Sequence, residues 1–321
     1  MRKVYKSYTQ TTRILSEMTR FQIKTPIYYF SMSKACIMII GPTSIGKSKL
    51  ALEKASELNG EIISADAFQI YKGMDIGTAK LTPSQQKGIP HHLIDIKPPN
   101  EGYSVAEFQT NCNKLIKEIQ KKQKTPIICG GTALYTRAVL YNYNFIDENG
   151  KNSSFRTQYE HKLKVDGRDA IWNELKKIDP DHAKTIPPQN TRRVIRALEL
   201  FHVHNRLPSE QALKQSKQRS DISVVGLYSN REKLYSKINQ RVDKMISEGL
   251  ENEVRTLLSQ YHETAPGFQA LGYKEMIDYI KGRIAYEEMI DLIKKRTRHF
   301  AKRQLTWYKK FNNVEWHQIN I

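Results

Sequence analysis

The chain has 321 residues, 39% of them hydrophobic, with mean hydropathy −0.61, three cysteines and a formal net charge of +19 at pH 7. That length holds one substantial core with room for a smaller appended unit, the apolar content excludes a disordered chain, and no run approaches the ~20 apolar residues of a membrane-spanning helix. A pI near 9.6 makes a polyanion the expected partner, because a basic surface releases the counterions condensed on nucleic acid.

Residues 1–31 carry Arg2, Lys3, Lys6, Arg13, Arg20 and Lys24 against Glu17 alone. They have the acid-poor composition of an organellar leader without the apolar core of a secretory signal, and we read them as an extension upstream of a start at Met32. Residues 35–40 form a continuous apolar run, which predicts the first buried strand of a parallel sheet. Helical character over 47–58, a short strand at 61–64, a crossover helix over 105–122 and a strand at 126–129 follow. Residues 141–154 are rich in Asn, Asp, Gly and Ser and predict a flexible junction. Polar helices expected at 155–165 and 168–178 lie beyond it, and residues 221–228 predict a return to the sheet. Over 231–247, Leu234, Ile238, Val242, Met245 and Ile246 share one helical face.

Cys36, Cys112 and Cys129 are odd in number, far apart and form no CxxC pair, so the sequence offers neither a disulfide framework nor a zinc site. Buried thiols in a reducing, cytoplasmic compartment are expected. Residues 292–310 carry eight Lys or Arg, among them Lys302 and Arg303, and no acid, which predicts a basic C-terminal helix for nucleic acid.

Gly41, Pro42, Thr43, Ser44, Ile45, Gly46, Lys47 and Ser48 satisfy G-x-x-x-x-G-K-[ST] between a buried strand and a helix. Successive N–H groups of such a loop face one anion, the helix N-terminus adds partial positive charge, Lys47 reaches the outer phosphate and Ser48 ligates Mg²⁺. The expected fold is therefore α/β, a P-loop NTPase-like parallel sheet built from 32–140 and 205–321, with a small helical insertion at 141–204. The loop does not name a reaction. A kinase or NTPase is the default reading, yet no apolar strand ends in the Asp that would hold Mg²⁺ in that class; the strand at 126–129 ends in Gly130-Gly131-Thr132.

Residues 64–80, SADAFQIYKGMDIGTAK, are too long and unusual for loop filler. With the phosphate loop, residues 91–96 (HHLIDI), 130–135 (GGTALY), Arg193 to Glu199 (RVIRALE), Gly272-Tyr273 and 301–307 (AKRQLTW), they resemble the tRNA dimethylallyltransferase family in order along residues 35–316. The resemblance implies transfer of a dimethylallyl group from dimethylallyl pyrophosphate to the exocyclic amine of the adenosine immediately 3′ of the anticodon, with release of pyrophosphate. It implies Asp66 as base and grip on a flipped adenine, Thr132 at the reacting end, and Lys47 and Arg231 on the pyrophosphate. It also implies contacts to the tRNA anticodon stem-loop from Asp66, Ala67, Phe68, Gln69, Arg156, Arg192, Arg193 and Arg196, then Gln269, Ala270, Leu271, Gly272, Tyr273 and Lys274. Mg²⁺ is the implied cofactor and a monomer the implied state. The chain departs from the family at Ser44-Ile45, where a small pair is usual, in the junction, which lacks the usual Pro-containing pattern, and in having no C-terminal zinc finger, which suits a bacterial type. Three other readings stay open: a small-molecule kinase, a prenyltransferase acting on free adenine nucleotides, and an RNA-binding protein with a relict loop.

Overall fold

The computed structural model describes residues 36–145, 153–209 and 217–320; the extension at 1–31 and half of the junction lie outside them. Six strands are present among the described residues: β1 (Cys36–Ile40), β2 (Gly60–Ser64), β3 (His91–His92), β4 (Thr125–Cys129), β5 (Ile222–Tyr228) and β6 (Val314–Gln318). They pair in parallel throughout, in the order β3-β2-β4-β1-β5-β6. All five residues of β1 are buried, with Ile37 opposite Ile127 on one side and Ser223 on the other. A strand covered on both faces has no use for polar alternation, which explains the unbroken apolar run. β3 and β6 escape sequence reading, the first because it is two residues long, the second because VEWHQ is a half-exposed edge.

Helices α1 (Lys47–Glu57), α2 (Pro83–Gln86), α3 (Val105–Lys121) and α4 (Ala133–Leu140) connect the first four strands and follow β4. Ser104 and Glu107 form a reciprocal capping box that fixes where α3 begins. Its buried residues Phe108, Cys112, Ile116 and Ile119 pack with Cys36, Met38 and Ile40 into one core, where Phe108 stacks on Tyr135 at 4.2 Å between ring centroids. Burial pushes all three thiols up, Cys112 to about 12 and Cys129 to about 11, so they behave as small hydrophobes. At the start of β2, Glu61 is buried between His92 (2.7 Å), Lys124 (2.9 Å) and Lys122 (3.4 Å). Burial alone would raise its carboxyl, but hydrogen bonds from these three hold it at about 2.

Helix α5 (Ser153–Ile178) is broken at Gly167 (φ 83°, ψ 170°), so the two helices expected at 155–165 and 168–178 are its halves. With α6 (Pro180–Thr185) and α7 (Thr191–His204) it gathers Tyr159, Ile171, Leu175, Val194 and Leu198 into an apolar cluster of its own. After β5 come α8 (Arg231–Ser247), α9 (Leu250–Leu258), α10 (Tyr273–Ile280) and α11 (Tyr286–Tyr308). These share another cluster with Ile70, Tyr71 and Met74. On α8, Leu234, Ile238, Val242 and Met245 are buried as expected and Ile246 partly so. No helix among the described residues is long and apolar enough to cross a membrane.

Candidate active site

The phosphate loop joins β1 to α1 beyond the carboxyl end of β1, where open α/β sheets place ligands. Gly46 (φ 100°) and Ser44 (φ 64°) take left-handed backbone, the alternation that curls successive amides toward one point. The departure at Ser44-Ile45 is absorbed locally: Ile45 is fully buried beneath the loop, while Ser44 Oγ is enclosed and has no hydrogen-bond partner among the described residues. An enclosed hydroxyl without a partner is costly unless a ligand satisfies it, and it fits an anion-binding role. Lys47 Nζ donates to Pro42 O at 2.7 Å within the loop. Desolvation pulls its pKa down to about 8, with Arg241 acting in the same direction and Cys129 and Asp66 opposing.

Asp66 sits two residues past β2, and Thr132 three past β4. Their turns are tied together: Ala65 N donates to Cys129 O at 2.9 Å and Thr132 N to Ala65 O at 3.1 Å. Thr132 occupies the N-cap position of α4, yet its hydroxyl makes no cap bond; it accepts the Ala67 N–H at 2.9 Å. Asp66 Oδ1 accepts the Phe68 N–H at 3.0 Å, which orients the carboxylate. Asp66, Thr132 and Thr43 all line a cavity of ≈ 500 Å³ whose walls are mostly apolar, with Phe68, Leu134 and Met245 among them.

Arg241 also lines this cavity. Burial lowers its pKa and Asp66 opposes the shift. Its Nη2 lies 3.5 Å from Thr78 O, and no carboxylate among the described residues lies within ion-pair distance. The family resemblance implied Arg231, not Arg241, as a contact to the pyrophosphate. The structure puts Arg231 at the exposed start of α8, its guanidinium 5.1 Å from the Tyr235 ring centroid, and it is not among the cavity residues. Arg241 was detectable: Leu234, Ile238, Arg241 and Met245 follow the i, i+4, i+7, i+11 spacing, so a cation interrupts the apolar stripe of α8.

Of the residues expected on RNA, Ala67, Phe68, Gln269, Ala270 and Leu271 line the cavity. Gln69 is turned inward, accepting from Ser64 Oγ at 2.9 Å and donating to Thr78 O at 3.3 Å. Gly272 caps α10, Lys274 is exposed, and Tyr273 is fully buried, its hydroxyl donating to Glu253 at 2.5 Å. Glu253, unnoticed in the sequence, also accepts from the N–H groups of Asp75 (2.9 Å), Ile76 (2.7 Å) and Gly77 (3.2 Å). It thereby pins the 73–78 segment, whose Gly77 and Thr78 form cavity wall. In the helical unit Arg192 and Arg193 are exposed, whereas Arg156 (2.8 Å) and Arg196 (2.7 Å) both bind the fully buried carboxylate of Glu199. On α11, Lys294 pairs with Asp243 and Arg296 with Glu275, while Lys302 and Arg303 are exposed and border a groove with His299 and Trp307.

No trio of His, Cys, Asp or Glu among the described residues could hold a metal ion. A Mg²⁺ ion would draw on hydroxyl, phosphate and water oxygens, the ligands it favours, and Ser48, exposed in the first turn of α1, fits that role.

Fold and cavity together define a parallel α/β protein in which a phosphate-binding loop, an oriented carboxylate and a poorly compensated guanidinium meet beside an apolar chamber. The family model described as IPP transferase matches residues 69–311. The tRNA dimethylallyltransferase of Anoxybacillus flavithermus is 45% identical over 286 residues, covering 89% of this chain and 90% of that protein. That of Bacillus anthracis is 45% identical over 283 residues, covering 88% and 90%. The crystal structure of the full-length tRNA isopentenylpyrophosphate transferase of Bacillus halodurans has a TM-score of 0.66 at 42% identity, covering 89% and 90%. A eukaryotic dimethylallyltransferase acting on tRNA has a TM-score of 0.77 at 32% identity, covering 89% and 74%. The chain belongs to the IPP transferase family.

Proposed function

We propose that this chain transfers a dimethylallyl group from dimethylallyl pyrophosphate to the exocyclic amine of the adenosine immediately 3′ of the anticodon in tRNA. The observation that carries the proposal is the shared cavity. It brings Asp66 and Thr132 to the same space as Arg241 and the phosphate loop, against walls apolar enough for a five-carbon allyl group.

The adenine amine is a weak nucleophile because its lone pair is delocalised into the ring. Asp66, held by the Phe68 N–H, accepts the proton that the nitrogen loses as the new C–N bond forms. The C–O bond to the leaving group breaks in the same step, and its electron pair departs with pyrophosphate. Lys47, Arg241 and the loop amides oppose the charge that accumulates there, the contribution that ordinarily dominates catalysis of this kind. Ser48 would hold a Mg²⁺ ion, which would supply further neutralisation of charge on the same group. Thr132 hydrogen-bonds at the reacting end. A stacked anticodon-loop base must leave its stack to enter the cavity, at a cost of a few kcal/mol. Phe68, Gln269 and Leu271 at the cavity, Arg192 and Arg193 on α7, and Lys302 and Arg303 on α11 offset that cost by contacts to the flipped base and the flanking backbone.

Pyrophosphate release tests the reading against a kinase. With unmodified tRNA, Mg²⁺ and dimethylallyl pyrophosphate the protein should release pyrophosphate, tRNA should not stimulate ATP hydrolysis, and Lys47→Ala should abolish release while tRNA still binds. Phosphorylation of a small acceptor by ATP, with no release of pyrophosphate from the allylic ester, would put the kinase reading in its place.

A further inference from the structure

Gln304 lies on α11 and is almost wholly buried, where an amide side chain is unusual. It occupies the apolar stripe that Ile293 and Tyr308 mark on that helix. Its carboxamide uses both ends. Oε1 accepts the N–H of Thr43 in the phosphate loop at 2.9 Å, and Nε2 donates to the carbonyl of Gly131, next to Thr132, at 2.8 Å. A Cβ built on Gly131 would lie 2.5 Å from Nε2, so a side chain there would push the Gln304 amide out of its present place. One turn further on, Tyr308 donates to Gly130 O at 3.3 Å. The neighbouring residue, Arg303, is exposed on the basic face and lines the cavity as well.

We propose that Gln304 is a positioning residue that locks the phosphate loop to the Gly131-Thr132 turn and couples the RNA-facing side of α11 to the affinity for the pyrophosphate donor. The inference rests on the proposed function for the identity of the two ligands. A single amide spans both loops from one helix, so a shift of α11 moves the Thr43 amide and the Thr132 turn together. Polynucleotide seated on Lys302 and Arg303 fixes α11, and through Gln304 it fixes the loop that holds the anion. Coupling between two binding sites is reciprocal, so the effect is readable from either ligand.

The test uses the full chain and three variants. Gln304→Met keeps the volume and loses both hydrogen bonds, Gln304→Ala removes the side chain, and Gln304→Glu keeps an acceptor for Thr43 while losing the donor to Gly131. Calorimetry with Mg²⁺ and inorganic pyrophosphate, with and without unmodified tRNA, gives the affinities. In the unaltered protein, tRNA should tighten pyrophosphate binding at least threefold. Gln304→Met should weaken pyrophosphate binding about tenfold, change the affinity for tRNA less than twofold and bring the coupling factor to one, and Gln304→Glu should also lack coupling. A purely structural glutamine would lower thermal stability and weaken both ligands alike, or neither. Coupling that persists in Gln304→Met overturns the proposal, and so does a pyrophosphate affinity that Gln304→Met leaves unchanged. Failure of the unaltered protein to bind pyrophosphate at all would instead overturn the functional reading. Should Gln304→Ala fail to fold, the Met and Glu variants still decide the matter.

Discussion

Replacing Arg241 with Met separates what the fold needs from what the reaction needs. The guanidinium lines the cavity, its one hydrogen bond among the described residues is at the long limit (3.5 Å to Thr78 O), and desolvation lowers its pKa. Met removes the charge, keeps most of the hydrophobic stem and strands at most one carbonyl. Relief of an under-compensated buried cation is worth on the order of 1–2 kcal/mol here, a value kept small because the group faces the cavity and its water. For a chain of this size that is a rise in Tm of roughly 1.5–3 °C. Loss of one cation at the departing pyrophosphate should cost about 3–4 kcal/mol at the transition state, a fall of roughly 10²- to 10³-fold in single-turnover rate. Thermal unfolding followed by circular dichroism and quenched-flow prenyl transfer under saturating donor give the two numbers. A lower Tm together with a rate within tenfold of the unaltered protein would instead make Arg241 a structural partner of Asp66 with no part in the reaction.

Asp66→Ala should leave tRNA affinity within a fewfold and slow single turnover by about 100-fold or more, measured by rapid quench, since base catalysis contributes that much. Lys47, with its pKa lowered to about 8 in the folded protein, is charged below that pH, so pyrophosphate affinity should decline as pH rises through 8. Calorimetry from pH 7 to 9.5 checks this, and Lys47→Met should give a weaker, flatter profile. Glu61, held at about 2, contributes stability that is fully present above the ordinary glutamate range and is lost as pH falls toward 2. Glu61→Gln should therefore cost about 1–3 kcal/mol in urea unfolding at pH 7 and much less near pH 2. Replacing Lys302 and Arg303 with Ala should flatten the slope of log K for tRNA against log salt by roughly one for each phosphate no longer neutralised.

The parts of this protein that local pattern controls were legible. The unbroken run of β1, the glycines and lysine of the loop, and the apolar face of α8 each follow from one stretch of chain, and the structure has them where they were expected. What escaped depends on contacts between distant stretches. Glu253 takes its meaning from the amides of Asp75 to Gly77, and Gln304 from Thr43 and Gly131, partners that no spacing in the sequence reveals. Arg231 and Arg241 lie on the same helix and differ by which face they occupy, so attention to a charge inside an apolar stripe separates them. Arg156 and Arg196 were implied as RNA contacts by the resemblance alone; their shared partner Glu199, buried within the helical unit, is not visible in any local spacing.

On this mechanism the phosphate loop holds an allylic pyrophosphate whose hydrocarbon goes to an adenosine of tRNA. Mass spectrometry of nucleosides from unmodified tRNA, after incubation with the protein, Mg²⁺ and dimethylallyl pyrophosphate, tests it most directly. One dimethylallylated adenosine per modified tRNA is expected, located 3′ of the anticodon, absent when Asp66→Ala replaces the unaltered protein on the same timescale. Unchanged tRNA nucleosides alongside prenylated free adenine nucleotide, or alongside ATP-dependent phosphorylation of a small acceptor, would contradict it.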